Sequence, residues 1–521
     1  MRKKFLPLLL LLVFAVTALS IRLAAQTNYQ RIYSGYVSYY GSDVEWSVVD
    51  QTFVMCVIDS GAMSVTKLDP TGVPLWNKRF SFPNVDLGYI AKVAVASDGT
   101  IYLCSSYEDF TGNAVSYLLM AVNQWGMHLW SKVYETQSFL AYDEPQLTLL
   151  PDGNLMIVES VYGHVGYIKT DLSGNLIESN MYREDTQVEN KTPGFDGAAF
   201  PDGSMIFTGK RDCDIMIVRT NSNGTVAWTK VMNSGMYYYH TKSVAPLSDG
   251  TSIMTGFANG MPFIMRMDSN GAVMWYKEYG DSASLDAFYD VQQLDANTFI
   301  TSGHIDSGSV LVTFDINGQI ISAIESHGTN SLGFGSTHVC TTPGGYIAWP
   351  FTTYDSITWM LSGGLHIMTA MNSNGCDVVP VTFQANPATP QPVEIAMPIY
   401  TMPQTINAYA VTPAEAMPGI VMSNYCWIIG TEEPQPPVNA LTLQSNVITQ
   451  GSALNFSVHA YTGDAVYTIH DLQGKTVATG KLESSNGNLL SIPQVSTFAN
   501  GMYVLNVQAG ESRQSQKFIV Q

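Results

Sequence analysis

Seven times between residues 69 and 375 the chain reads Asp or Asn, two further residues and a glycine, ending at Gly72, Gly126, Gly174, Gly224, Gly271, Gly318 and Gly375. The copies are 47 to 57 residues apart. This constrains the fold more than any other feature, because self-similarity at such a period marks a propeller or a solenoid of equal units. The fourth-place glycine supplies the positive φ that closes a short loop, and the Asp or Asn side chain can cap the loop's own amides. The motif is therefore a turn, and its flanks define the unit.

Residues 241–279 show the grammar. A short apolar run ends at Ser248-Asp249-Gly250, a hairpin turn of the Asp-Gly type. "TSIMTGF" follows, then a loop at Ala258-Asn259-Gly260, then the alternating "PFIMRM". After the Asp268–Gly271 turn comes "AVMWYKEY". Four antiparallel strands per unit make a propeller blade. Trp76, Trp130, Trp228 and Trp275 share one register after the turn, where a large ring can wedge between adjacent blades. "YQRIYSG" at 29–35 looks like the fourth-strand ending "WYKEYGDS" without a blade before it. It predicts an N-terminal strand that completes the last blade. The expected fold is all-β: a propeller of about seven four-stranded blades over 26–383, then a small Ig-like β-sandwich. Eight blades stay open at this stage, because the Pro-rich closing segment 384–430 resists a blade reading.

Charged residues make up only 13% of the chain, which disfavours long solvated helices and leaves strands and turns to carry the fold. The opening "MRKKFLPLLLLLVFAVTALSIRLAAQ" has the basic start, apolar stretch and small residues of a signal peptide, residues 1–25, with Leu23-Ala24-Ala25 as the expected cleavage site and Ala18-Leu19-Ser20 as its rival. No later stretch has the roughly 18 apolar residues of a membrane helix, so no span is expected after cleavage. Removing Arg2, Lys3, Lys4 and Arg22 takes the net charge from −19 to −23. So acidic a chain repels phosphate backbones, and nucleic acid is not an expected partner. The six cysteines show no C-x-x-C spacing. Cys56 and Cys104 read as small buried fillers, and Cys376 with Cys426 is the candidate disulfide.

A linker, "TEEPQPPVNA", occupies 431–440, and a small all-β unit fills 441–521. This tail resembles the type A C-terminal sorting domain of proteins exported by the type IX secretion system of Bacteroidota. The likeness rests on Asp471-Leu472-Gln473-Gly474-Lys475, Asn500-Gly501-Met502-Tyr503 and the terminal Lys517-Phe518-Ile519-Val520. It departs where the family opens with a Pro-Asn-Pro-like element, since this chain has Ser445-Asn446-Val447. The resemblance implies that residues 441–521 engage the type IX machinery, with release or attachment at the outer-membrane surface.

Catalytic signatures are missing: there is no H-E-x-x-H, G-x-S-x-G or G-x-x-x-x-G-K. The repeated turn resembles the docking repeat of quinoprotein propellers, most closely at Asp69-Pro70-Thr71-Gly72 with Trp76, and also the Asp-box of sialidases. In both families the motif serves packing at the blade periphery. No catalytic residue, metal ligand or cofactor is therefore assigned. The remaining candidates sit six residues before the first-turn Asp or its equivalent, where first strands open onto a channel. They are Lys92, Gln146, Asp196, Ser243, Asp290 and His338. Tyr142, Phe195, His240 and Tyr289 beside them add aromatic surface of the kind that stacks on sugars or peptides. The expectation is a secreted or surface-displayed protein that binds a glycan or protein through this face, without catalysis. The alternative is an extracellular polysaccharide hydrolase or lyase.

Overall fold

The structure is a computed structural model describing residues 29–34, 43–83, 85–109, 116–136, 145–161, 164–183, 194–211, 214–233, 239–258, 260–280, 287–305, 308–326, 338–354, 361–368, 378–380, 385–386, 393–396, 400–403, 407–417, 421–424, 441–443, 446–458, 465–471, 475–482, 490–509 and 512–521. The segment read as a signal peptide, the 431–440 linker, Tyr142, Cys376 and Cys426 lie outside them. The chain divides into two compact units, one of Met1–Val65, Pro70–Gly72 and Lys78–Cys426, the other of Trp427–Gln521 with Thr66–Asp69 and Val73–Asn77.

The first unit is a propeller of seven sheets. The first strands of blades 1 to 7 are Asp43–Ser47, Val85–Val95, Gln146–Leu149, Gly194–Ala199, Tyr239–Pro246, Ala287–Gln293 and Cys340–Thr341. These strands neighbour one another from blade to blade and so surround the axis. Each blade then runs outward through the strands read from the repeat. Blade 7 is composite. Its own third strand, Leu361–Met368, pairs antiparallel with the N-terminal strand Tyr29–Ser34, as "YQRIYSG" predicts.

The recurrent turn works between blades as well as within them. Asp268 Oδ1 accepts from the amides of Asn270 and Ala272, each at 2.8 Å, and Gly271 has a φ of +79°. Trp228 of the preceding blade lies against that glycine and donates from Nε1 to Ser269 O at 2.9 Å. Trp275 repeats the contact on the next turn, donating to Ile316 O at 3.2 Å. Tyr134, Tyr182 and Tyr279 donate to the carbonyls of Gly174, Gly224 and Gly318 at 2.7, 2.9 and 2.8 Å. Tyr33 of the N-terminal strand does the same to Gly72 at 2.7 Å. The strand that closes the ring thus reproduces the fourth-strand contact on blade 1.

The Pro-rich segment 384–430, together with the residues just before it, has a role that its sequence did not disclose. Val378–Pro380, Ala385–Asn386, Val393–Ala396, Tyr400–Pro403, Asn407–Ala410, Ala414–Ala416 and Val421–Asn424 pair antiparallel with the outermost strands of blades 6, 5, 4, 3, 2, 1 and 7. Each begins seven or eight residues after the last. The segment is a belt that circles the propeller backwards and makes every blade five-stranded. It ends on the N-terminal strand, with Asn424 opposite Arg31. An outermost strand bonds its neighbour on one side only, so Pro is tolerated there, and short Pro-bearing strands blunt an exposed edge.

The second unit contains eight strands among the described residues, in a three-stranded and a five-stranded sheet. The terminal strand Ser512–Val520 pairs antiparallel with Gly501–Ala509 and parallel with Val447–Ile448. Leu454, Phe456, Ile469, Leu505 and Phe518 form its core, as in a β-sandwich.

Candidate functional site

The channel-side register is set by a bulge. In blades 4, 5 and 6 the pairing of first and second strands skips one residue, at Phe195, Lys242 and Tyr289. Opposite stand Gly209, Gly256 and Gly303, each after Thr or Ser in the second strand. A Cβ on Gly256 would collide with the His240 carbonyl oxygen, and one on Gly303 with that of Ala287. The buried hydroxyl of Thr301 donates to Asp290 O, and Thr208 donates to Asp196 O at 3.4 Å. A bulge of this kind re-aims the residue that follows it. Those residues are Asp196, Ser243 and Asp290.

Gln146, Asp196, Ser243, Asp290 and His338 come from five blades and line one cavity of about 180 Å³, with Thr148, Lys242, Tyr289 and Gln292 also in its wall. Lys92 shares the register but is not among the lining residues. It is buried beside Cys104, whose thiol burial pushes far up. His240 is likewise not a surface platform. It is buried and stacks on Phe257 at 4.8 Å, whereas Tyr289 stacks on His304 at 5.4 Å and stands in the cavity wall.

The carboxylates are tied to the backbone. Asp196 accepts from its neighbour's amide, Gly197, and from Val244 of the next blade, both at 2.8 Å. Asp290 does the same with Val291 and Val339, also at 2.8 Å, and Ser243 Oγ lies 3.3 Å from its Oδ1. Each carboxylate thereby staples one blade to the next. Burial raises the Asp196 carboxyl to about 6, with Asp290 adding to the rise, against the lowering effect of its hydrogen bonds.

His338 closes the seam between blades 6, 7 and 1. Its Nδ1 lies 3.2 Å from Asp290 Oδ2 and 3.8 Å from Asp43 Oδ1, and its Nε2 lies 3.5 Å from Glu45 Oε1 and 3.2 Å from the Gln292 amide. Burial disfavours the charged ring, but Asp290, Asp43 and Glu45 outweigh it and push the imidazole from 6.5 to about 10. A protonated ring donates from both nitrogens, so the Gln292 amide must turn its oxygen toward Nε2.

Asp43 is the seventh member of the register and was missed in the sequence. Its Oδ2 accepts from the Val93 amide of blade 2 at 2.8 Å, the same staple as in blades 4 and 6. Counting six back from Asp50 lands on Val44, because the blade 1 loop between Ser47 and Thr52 is one residue longer than the blade 2 loop between Ala96 and Thr100; Gln51 takes a φ of +55° where blade 2 has Gly99. Among the described residues no group of three or more His, Cys, Asp or Glu could hold a metal ion, and no helix is long and apolar enough to cross a membrane. Cys56, Cys104 and Cys340 are buried free thiols.

Residues 434–521 match the family model described as "Secretion system C-terminal sorting domain". The chain therefore carries a sorting tail of the type IX system, which indicates secretion or export to the cell surface. Among solved structures the chain is similar to the virginiamycin B lyase of Staphylococcus aureus, at 12% identity and a TM-score of 0.45, over 65% of this chain and 99% of that one. It is similar to the Dos1 propeller, at 10% identity and a TM-score of 0.41, over 66% and 95%. The α-L-arabinanase of Penicillium chrysogenum follows at 12% and 0.34, over 55% and 94%. No curated protein matches the chain.

Proposed function

We propose that this is an exported protein that binds a glycan or protein ligand at the mouth of its propeller channel, without transforming it. One observation carries the reading: five residues at one register, no two adjacent blades alike, wall a single cavity. The wall holds no idle acid–base pair, because both oxygens of Asp196 and of Asp290 already accept backbone amides. Delivery fits the same account. Residues 1–25 act as a cleaved signal peptide, and residues 441–521 hand the chain to the type IX machinery of a Bacteroidota cell, for display at the outer-membrane surface or release. A disulfide between Cys376 and Cys426 belongs to this exported form.

A second reading, a polysaccharide hydrolase or lyase, is favoured by one feature: His338 converges with Asp290, Asp43 and Glu45. An imidazole held near 10 keeps its proton at neutral pH and would serve as an acid, not a base. A glycan and protein array probed with residues 26–430 separates the two. A specific hit recovered unchanged supports binding, and new reducing ends or unsaturated uronates would establish the enzyme instead.

A further inference from the structure

We infer that the cavity takes one uncharged, polyhydroxylated ring, the end unit of a glycan chain; this rests on the binding reading above. Size is the first argument. The cavity, at about 180 Å³, lies below the roughly 300–1,000 Å³ of clefts for larger ligands. A single ring enters, and the rest of the chain stays outside.

Charge is the second argument. The ionisable groups of the wall are Asp196 and Asp290 against Lys242 and His338. They balance, and the two acids are already engaged by amides while His338 faces Asp290, Asp43 and Glu45. Lys242 lies over the Tyr289 ring, 5.8 Å from its centroid, so an anionic ligand would have to draw it from that contact, and a cationic one would have to compete with His338 for Asp290.

Hydrogen-bond chemistry is the third. Gln146, Thr148 and Ser243 each both donate and accept, while the remaining lone pairs of the carboxylates only accept. Hydroxyl groups, which also do both, suit such a wall from any direction. Tyr289, fixed in plane by its stack on His304 at 18° between rings, supplies the flat apolar surface that the C–H face of a sugar ring covers.

The test uses the full chain and ligand-observed NMR with titration calorimetry. Probes are the methyl glycosides of glucose, galactose and N-acetylglucosamine, with glucuronate, glucosamine and trialanine as charged and peptide counter-probes. The expected result is binding of at least one neutral glycoside, weakened about tenfold by Ser243→Ala and by Gln146→Ala, the loss of one hydrogen bond each. Tyr289→Ala should abolish it, with thermal unfolding confirming that each variant is folded. Glucuronate, glucosamine or trialanine binding as tightly as the neutral probes, with the same dependence on these residues, overturns the neutral-ring assignment and leaves the mouth as the site. Glycoside binding that ignores all three substitutions overturns the proposal. If neither these probes nor any array ligand responds to the substitutions, the binding reading itself falls.

Discussion

The rim and the channel of the propeller are built from the same repeat and behave in opposite ways. At the rim the copies agree: an Asx-x-x-Gly turn, and a Trp or Tyr from the neighbouring blade that reaches it. Along the channel the same register holds Asp43, Lys92, Gln146, Asp196, Ser243, Asp290 and His338, and no two adjacent blades agree. A position under purely architectural demand tolerates one good answer, repeated. A position free to differ in every blade can serve a ligand, but here three of the seven answers are also staples between blades. The difference teaches that the channel is partly structural, so the effects of its substitutions divide into loss of fold and loss of binding.

The belt tests the rim side of the comparison most severely. A chain of residues 26–377 lacks all seven outer strands, whereas 26–430 keeps them. Their ladders pair two to four residues in each blade, and at about 1 kcal/mol per hydrogen bond the loss is on the order of 10 kcal/mol or more. That is comparable with the whole stability of about 5–15 kcal/mol common for folded domains. The shorter chain should show no cooperative thermal transition by circular dichroism. If its transition matched that of 26–430, the belt would be decoration.

Asp290→Ala breaks the comparison from the channel side. It removes the acceptor for the amides of Val291 and Val339 and strips His338 of its nearest carboxylate. Orphaning a buried charge and two amides costs about 3–5 kcal/mol. Ser243→Ala, which loses one 3.3 Å contact, should cost under about 1 kcal/mol. Equal urea midpoints for the two variants would show that the staples contribute nothing.

The pH dependence of stability comes next. His338 has a folded value of about 10, above its ordinary 6.5, so its contribution is complete below pH 6.5 and disappears as pH rises through 10. With its side chain 21% exposed, the expected decline is discounted to about 2–4 kcal/mol. Asp196, raised from 3.8 to about 6, adds an earlier loss as pH climbs through that window. Urea unfolding at pH 6 and pH 10 should differ by this amount in the native chain and by far less in His338→Gln. A flat native profile would mean that the imidazole is not held by its three carboxylates.

These contrasts also explain what could be read from the sequence. The blades were legible because turn chemistry is local: an Asp and a glycine three residues apart determine a loop by themselves. The closing strand was legible because Tyr29-x-Arg31-x-Tyr33 copies Trp275-x-Lys277-x-Tyr279. The belt was not, because its strands are two to four residues long and take their pairing partners from strands as many as 393 residues away, as Asn424 does from Arg31. The cavity was half legible. The register was visible, but the bulges that turn Asp196, Ser243 and Asp290 toward the axis depend on Gly209, Gly256 and Gly303 in the facing strand, and their role emerges only with the pairing.

The smallest expected effect concerns the residue that hid Asp43. Gln51 occupies a left-handed conformation, φ +55°, where blades 2 to 5 place Gly99, Gly153, Gly203 and Gly250 at +82° to +85°. Asp50 still accepts from the Thr52 hydroxyl at 2.7 Å, but the loop is one residue longer than in blade 2, and Gln51 carries the strain of the left-handed region. Gln51→Gly relieves the Cβ clash of the left-handed region but also loosens the unfolded chain. The two terms oppose, and the clash of roughly 1–2 kcal/mol is the larger. A net gain of about 0.5 kcal/mol in urea unfolding is expected, with ligand binding unchanged because Asp43 keeps its bond to Val93. A loss of stability would mean that the Gln51 side chain contributes more to the blade 1 turn than its left-handed backbone costs.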